Sequence, residues 1–303
     1  MKQIILKYNM FLFITAFIWG IGFIFQQQGA ATLGPFLFCT IRYFLGGVAV
    51  GIVLIAIALL TKTPLSKFFP RETIVNGTFI GFFLFIASIL QQAGLKYTTA
   101  GNAGFITEVG IAFVPVMAIF LGERPRINVL AGAALVIIGL YMLTKPADSA
   151  EYNRGDLLEL CSAFFWAVQL MLLDRKAPAA NPFALSLIQF ISCTVFCMIT
   201  TLLFETINLD NIKATTHPLL YTGIMSCGVA FTLQVIAQRK TPAIYTAMIL
   251  SLEAIFAALA GWLYLHEDMS TIGIAGCTIM LIGILLAQAH IFGVIRKQTD
   301  AHV

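Results

Sequence analysis

The apolar residues of this chain come in long runs separated by short polar breaks, not in short alternating strands. A bilayer core of about 30 Å needs roughly 20 apolar residues per helix. On that measure ten helices are predicted, near 8–28, 35–60, 74–95, 100–121, 127–143, 154–174, 181–204, 217–238, 243–264 and 271–292. The breaks carry turn chemistry: Gly34-Pro35, Thr63-Pro64, Arg124-Pro125, Lys145-Pro146, Asn181-Pro182, His217-Pro218 and Thr241-Pro242. Most are too short to hold a soluble domain. The first run follows Lys2 and Lys7 and ends in Gly29-Ala30-Ala31, as a signal peptide would. More spans follow it, so it reads as a retained first span.

Composition narrows the function by exclusion. Of 303 residues 59% are hydrophobic and only 11% charged, whereas soluble domains are about half apolar and about a quarter charged. A soluble enzyme, a nucleic-acid binder and a secreted disulfide domain are all excluded. The net charge of +4 is no sign of a nucleic-acid partner, because in a membrane protein the placement of Lys and Arg matters more than their sum. All six cysteines (Cys39, Cys161, Cys193, Cys197, Cys227, Cys277) lie in apolar stretches. Without Cys-x-x-Cys or His spacing they read as small apolar residues, and no metal is expected.

The chain also repeats itself. Trp19 in Ala-Phe-Ile-Trp is answered by Trp166 in Ala-Phe-Phe-Trp, and Pro35-Phe36 by Pro182-Phe183 at the same offset, which sets Arg42 opposite Gln189. Leu90-Gln91 pairs with Leu233-Gln234. Ala131-Gly132 with Gly139 recurs as Ala275-Gly276 with Gly283, each after an acidic residue, Glu123 and Glu267. Such an ordered series is what a diverged duplication leaves. The expected domains are two five-helix repeats, 1–146 and 154–292, and five being odd, the second enters the membrane inverted.

Charge placement fits that inversion. With the N-terminus in the cytoplasm, Lys2, Lys7, Lys62, Lys67, Arg71, Arg124, Arg126, Arg175, Lys176, Arg239, Lys240, Arg296 and Lys297 fall inside. Lys96, Lys145, Arg154 and Lys213 fall outside, and Arg42 alone lies within a span. Thirteen against four favours cytoplasmic termini.

The ten spans, the paired aromatic-Trp motifs, the span ends Phe-Leu-Gly-Glu123 and Tyr-Leu-His-Glu267, and Leu-Gln-Gln-Ala-Gly-Leu-Lys-Tyr-Thr-Thr-Ala-Gly at 90–101 resemble the drug/metabolite transporter superfamily, specifically its EamA-type permeases. The resemblance covers nearly the whole chain. It implies a multi-pass carrier of small metabolites in a bacterial cytoplasmic membrane, often an exporter, with a central cavity between the halves. Such permeases open the C-terminal half of the ninth span with Leu-Glu-Pro. Here it reads Leu252-Glu253-Ala254, so a helix distortion owed to that proline is not expected.

Ionisable groups within a bilayer cost about 2.5–3.5 kcal/mol on insertion scales, so each invites a functional reading. Arg42 and Glu108 both lie about 10–12 Å below the outer interface at 1.5 Å per residue. Equal depth and opposite charge predict an ion pair in at least one conformation: a clamp between helices, an outer gate, or a docking pair for an amino acid's carboxylate and ammonium groups. Glu253 falls near the midplane without a basic partner at its depth, which suits coupling to a proton or another cation. Its other reading is a neutral acid bonded to a neighbouring helix.

Trp19 and Trp166 sit mid-span, outside the interfacial belts. They line a substrate cavity with aromatic faces or simply pack helices. Gln91, Gln169 and Gln234 need partners at membrane depth, in a helix or in a substrate. Trp262 reads as an interface anchor.

The substrate-binding candidates are therefore Trp19, Arg42, Gln91, Glu108, Trp166, Gln169, Gln234 and Glu253. The chain has no Walker-type Gly-x-x-x-x-Gly-Lys, no Gly-x-Ser-x-Gly and no His-Glu-x-x-His. No catalytic group and no cofactor are expected. The leading expectation is a secondary transporter working by alternating access on a small metabolite, an amino acid or an aromatic-like compound. The alternative is a membrane-embedded enzyme acting on a lipid-linked substrate. The lipid bilayer and the solute are the expected partners, and the sequence specifies no oligomeric state.

Overall fold

The computed structural model describes residues 2–98, 100–144, 154–264 and 270–300. Lys145, Pro146, the rest of the linker, His266 and Glu267 lie outside them. The described residues are helical, without a β-strand. Among them nine helices are long and apolar enough to cross a membrane, and a tenth, Ile127–Leu143, is shorter. The protein is a multi-pass all-α membrane protein.

The helices are α1 (Lys2–Thr32), α2 (Pro35–Leu60), α3 (Arg71–Gly94), α4 (Ala100–Glu108), α5 (Gly110–Phe120), α6 (Ile127–Thr144), α7 (Arg154–Lys176) and α8 (Pro182–Phe204). A short α9 (Leu209–Ala214) leads to α10 (Thr216–Leu220), a π-helical stretch (Tyr221–Phe231) and α11 (Thr232–Gln238), which together make one span. Then come α12 (Ala243–Leu250), α13 (Leu252–Tyr264) and α14 (Thr271–Asp300).

Proline and capping chemistry set the starts. Pro35 and Pro182 open α2 and α8, where proline's missing N–H is not needed. Asn181 caps its own helix, its Oδ1 accepting from the backbone N–H of Phe183 and Ala184 at 3.0 and 3.1 Å. Gly34 has no side chain to do the same. Glu205, at the end of α8, does it instead, accepting from Phe36 N–H at 3.1 Å and Leu37 N–H at 2.8 Å.

Three spans depart from continuous α-helix. The fourth breaks at Val109, between α4 and α5, with Pro115 one and a half turns on. The ninth breaks at Ser251, between α12 and α13, where no proline stands. There the Ser251 hydroxyl donates to the carbonyl of Met248 at 2.8 Å, a side-chain competitor for the backbone ladder of the kind that bends helices. The ninth span is therefore broken without the proline. In the eighth span the π-helical turns offer carbonyls sideways. Thr15 Oγ1 donates to Ala230 O at 3.0 Å and Trp19 Nε1 to Ser226 O at 3.2 Å, stitching α1 to that span.

Polarity runs inward. Arg42, Gln92, Glu159, Gln169, Gln189 and Gln234 are buried, while Phe44, Ile52, Leu59, Leu60, Leu202 and Phe204 face out. Lipid gives helices no hydrophobic reason to associate, so close packing of small residues carries more of the load. The pairing of α6 with α14 is the clearest case. A Cβ on Gly132 would meet the carbonyl of Gly283, and one on Gly139 the carbonyl of Gly276, each at 2.5 Å. The two backbones touch there, and only glycine fits.

Candidate functional site

A cavity of about 100 Å3 lies where both halves of the chain meet. At about 10–15 Å3 per water it holds several waters or a small solute. All eight residues singled out from the sequence line it: Trp19, Arg42, Gln91, Glu108, Trp166, Gln169, Gln234 and Glu253. Both helix breaks border it, through Thr107, Glu108 and Gly110 on one side and Leu250 and Glu253 on the other.

One wall is aromatic. Phe231 lies between the two tryptophans, edge-on to Trp19 at 4.6 Å between centroids and stacked on Trp166 at 5.8 Å. Trp19 spends its indole N–H on Ser226 O, whereas Trp166 Nε1 has no hydrogen-bond partner. Trp262 is half exposed on α13 and lines no part of the cavity.

The expected ion pair is absent from this structure. Among the described residues Arg42 has no carboxylate within 4 Å; the ion pairs there are Arg175 with Glu123 at 4.0 Å and Lys213 with Asp210 at 3.6 Å, both exposed. Arg42 instead donates from Nη1 to Gln26 Oε1 at 2.6 Å and from Nη2 to Tyr43 Oη at 3.0 Å. Its guanidinium carbon lies 4.8 Å from the Tyr43 ring centroid. Tyr43 Oη in turn bonds Ser88 Oγ, and Gln92 Nε2 donates to Gln26 O at 3.0 Å. This network joins α1, α2 and α3. Equal depth fixed the height of Arg42 and Glu108 but not their rotation about their helix axes, and Arg42 turns toward α1.

The carboxyls stand differently. Glu108 ends α4, and Glu253 occupies the first turn of α13. Both line the cavity, one beside each helix break. The sequence paired Glu253 with no base, and among the described residues it has no cationic partner within 4 Å.

The glutamines are divided between structure and cavity. Gln91 Nε2 donates to Thr107 Oγ1 at 3.3 Å, and Thr107 donates to Glu159 Oε2 at 3.0 Å. Gln169 Nε2 reaches Gln189 Oε1 at 3.5 Å. Gln234, 1% exposed, leaves its Oε1 without a donor. Sequence reasoning missed Gln26, Thr107, Ser226 and Phe231 on the cavity, and Glu159 behind it. Glu159 is fully buried against Gly94. Five residues past the start of α7, at about 7.5 Å by the 1.5 Å rise, it lies nearer the interface than the depth that selected Glu108.

The cysteines are free, Cys193 and Cys197 lying 3.9 Å apart between sulfurs. No group of three or more metal-ligating side chains occurs among the described residues.

The EamA-like transporter family model matches twice, over residues 6–145 and 153–288. The chain belongs to the EamA-like transporter family. An uncharacterized transporter of Archaeoglobus fulgidus is 29% identical over 92% of this chain and 85% of its own length. The Bacillus subtilis transporter YoaV is 22% identical, covering 89% of this chain and 92% of its own. A chloroplastic WAT1-related protein of Arabidopsis thaliana is 25% identical, covering 90% and 67%. A solved crystal structure superposes with a TM-score of 0.73 at 18% identity, over 92% of this chain and 95% of that one. That likeness concerns the fold.

Proposed function

We propose that this EamA-family protein is a secondary carrier that exports a small metabolite across the cytoplasmic membrane by rocking two inverted five-helix repeats about the shared cavity. The observation that carries the reading is the cavity's construction. Both broken spans end at it, and each half supplies about half of its lining. Discontinuous helices meeting at a site between repeats are the recurring architecture of secondary transporters. Irregular backbone inside a membrane is tolerated where it is buried in protein or lines a water-filled cavity, and both breaks border the cavity.

Exchange of the halves leaves the packing pattern unchanged, which supports the inverted repeat. The sequence repeat equates Gly132 with Gly276 and Gly139 with Gly283. The contact of Gly132 with Gly283 then maps onto that of Gly276 with Gly139, the other contact in the pair. Likewise α2 packs on α8 and on the π-helical stretch, as α8 packs on α2 and on α3. The two separate family matches agree with this division, and the charge bias agrees with cytoplasmic termini.

The test is flux. The protein in proteoliposomes should move at least one member of a metabolite panel faster than protein-free vesicles do, with a rate that responds to an imposed pH gradient. Vesicles that stay as tight as controls across amino acids, amines and aromatic acids would overturn the carrier reading. Reporter fusions in the 144–153 linker should report the outer side; a cytoplasmic result would overturn the inverted repeat.

A further inference from the structure

The cavity's charges and its unfilled hydrogen bonds are unevenly distributed. We infer that its ligand is an ammonium-bearing organic solute with an apolar, preferably flat, body, held by Glu108, Glu253 and Gln234 against the Trp19–Phe231–Trp166 wall. The inference rests on reading the cavity as the transported solute's own site.

The lining carries two carboxyls and the Gln234 amide oxygen as acceptors, against the unpartnered donors Arg42 Nε and Trp166 Nε1. Two carboxyls line the space, and among the described residues neither has a cationic partner within 4 Å. Gln234 lines the cavity, and its Oε1 is buried and receives no hydrogen bond. A buried acceptor left without a donor is costly, and a ligand N–H that reaches it would recover that cost.

The one cation on the lining is already engaged. Arg42 gives one N–H of Nη1 to Gln26 and one of Nη2 to Tyr43, which turns its guanidinium toward α1, and its Nε is buried without a partner. A ligand carboxylate would have to share a guanidinium already turned to Gln26 and Tyr43, whereas an ammonium meets two carboxyls with no cationic partner within 4 Å among the described residues. The aromatic wall adds selectivity. Ring faces attract cations and stack flat bodies.

Three isosteric probes separate the possibilities: benzylamine (cation), benzyl alcohol (neutral) and benzoate (anion). Calorimetric titration of the detergent-solubilised full chain at neutral pH should find benzylamine bound at least about tenfold more tightly than either of the others. Glu108→Gln and Glu253→Gln should each weaken benzylamine, the double variant most, while leaving benzyl alcohol unchanged. Gln234→Leu should weaken benzylamine too, without altering any charge. Intact folding of each variant is checked by its thermal midpoint; if the double variant unfolds, the single ones decide.

Benzoate binding as tightly as benzylamine would overturn the inference, and so would equal binding of all three or of none. So would benzylamine binding that survives both Gln substitutions. Benzylamine bound as expected, beside proteoliposomes that carry nothing, would uphold the ligand chemistry and defeat the carrier reading alone.

Discussion

Arg42 donates from Nη1 to Gln26 Oε1 at 2.6 Å, so a buried guanidinium in α2 is held by a neutral amide of α1. Hydrogen bonds to charged groups contribute about 1.5–3 kcal/mol. Gln26→Leu removes the acceptor and leaves the charge buried, and should destabilise the protein by about that much. Gln26→Glu supplies an acceptor of opposite charge and should do less harm. Thermal unfolding in mild detergent measures both. Equal midpoints for Gln26→Leu and the parent would show that the bond contributes nothing.

Which residues share the cavity was legible in the sequence, and which of them touch was not. A polar side chain in a lipid-crossing run must turn inward, so Trp19, Gln91, Glu108, Gln234 and Glu253 could be chosen by depth and type alone. Partners depend on the rotation of each helix, which a span's boundaries leave undetermined. The expected Arg42–Glu108 pair is not formed in this structure for that reason. Gln26 was passed over because it sits in the polar Gln26-Gln27-Gln28 run at the end of α1 and looked like a boundary. The break at Ser251 was hidden for another reason: a serine hydroxyl bends the helix there, where the sequence offered only a missing proline.

Glu205 caps α2 from across the bundle with both carboxylate oxygens. Losing an N-cap costs about 0.5–2 kcal/mol, and Glu205→Ala should lower stability by that amount. A Cβ on Gly34 would run into the Glu205 carboxylate, so Gly34→Asn alone should be harmful. In the Glu205→Ala background that space opens. Gly34→Asn can then cap α2 as Asn181 caps α8, and the double variant should regain most of the loss. A double variant no more stable than Glu205→Ala would refute the capping role.

The α6–α14 contact predicts an ordered response to added methyl groups. Gly139→Ala puts a Cβ against the carbonyl of Gly276 and the amide of Met280. Overpacking of this kind costs about 1–3 kcal/mol. Gly104→Ala, in α4, meets nothing within 4 Å and should be neutral or gain up to about 1 kcal/mol from helix propensity. Unfolding midpoints in one detergent rank the two. If Gly139→Ala is as stable as Gly104→Ala, the backbones of α6 and α14 do not pack as described.

Glu253 tests the coupling half of the carrier reading. It borders the cavity at the Ser251 break, and the other carboxyl on the lining is Glu108. Two like charges in a low-dielectric space repel strongly, so the pair holds together best when a proton or a cation occupies it. Glu253→Gln keeps the shape and the hydrogen bonding and removes one of the charges. An amide costs less to bury than a carboxylate, so insertion and thermal midpoint should hold or improve. Flux driven by an imposed pH gradient should fall by about tenfold, the scale of a 1.4 kcal/mol interaction, while any gradient-independent exchange persists. Measured side by side in proteoliposomes, a variant that responds to the gradient as the parent does would make Glu253 a structural residue and remove it from the coupling step.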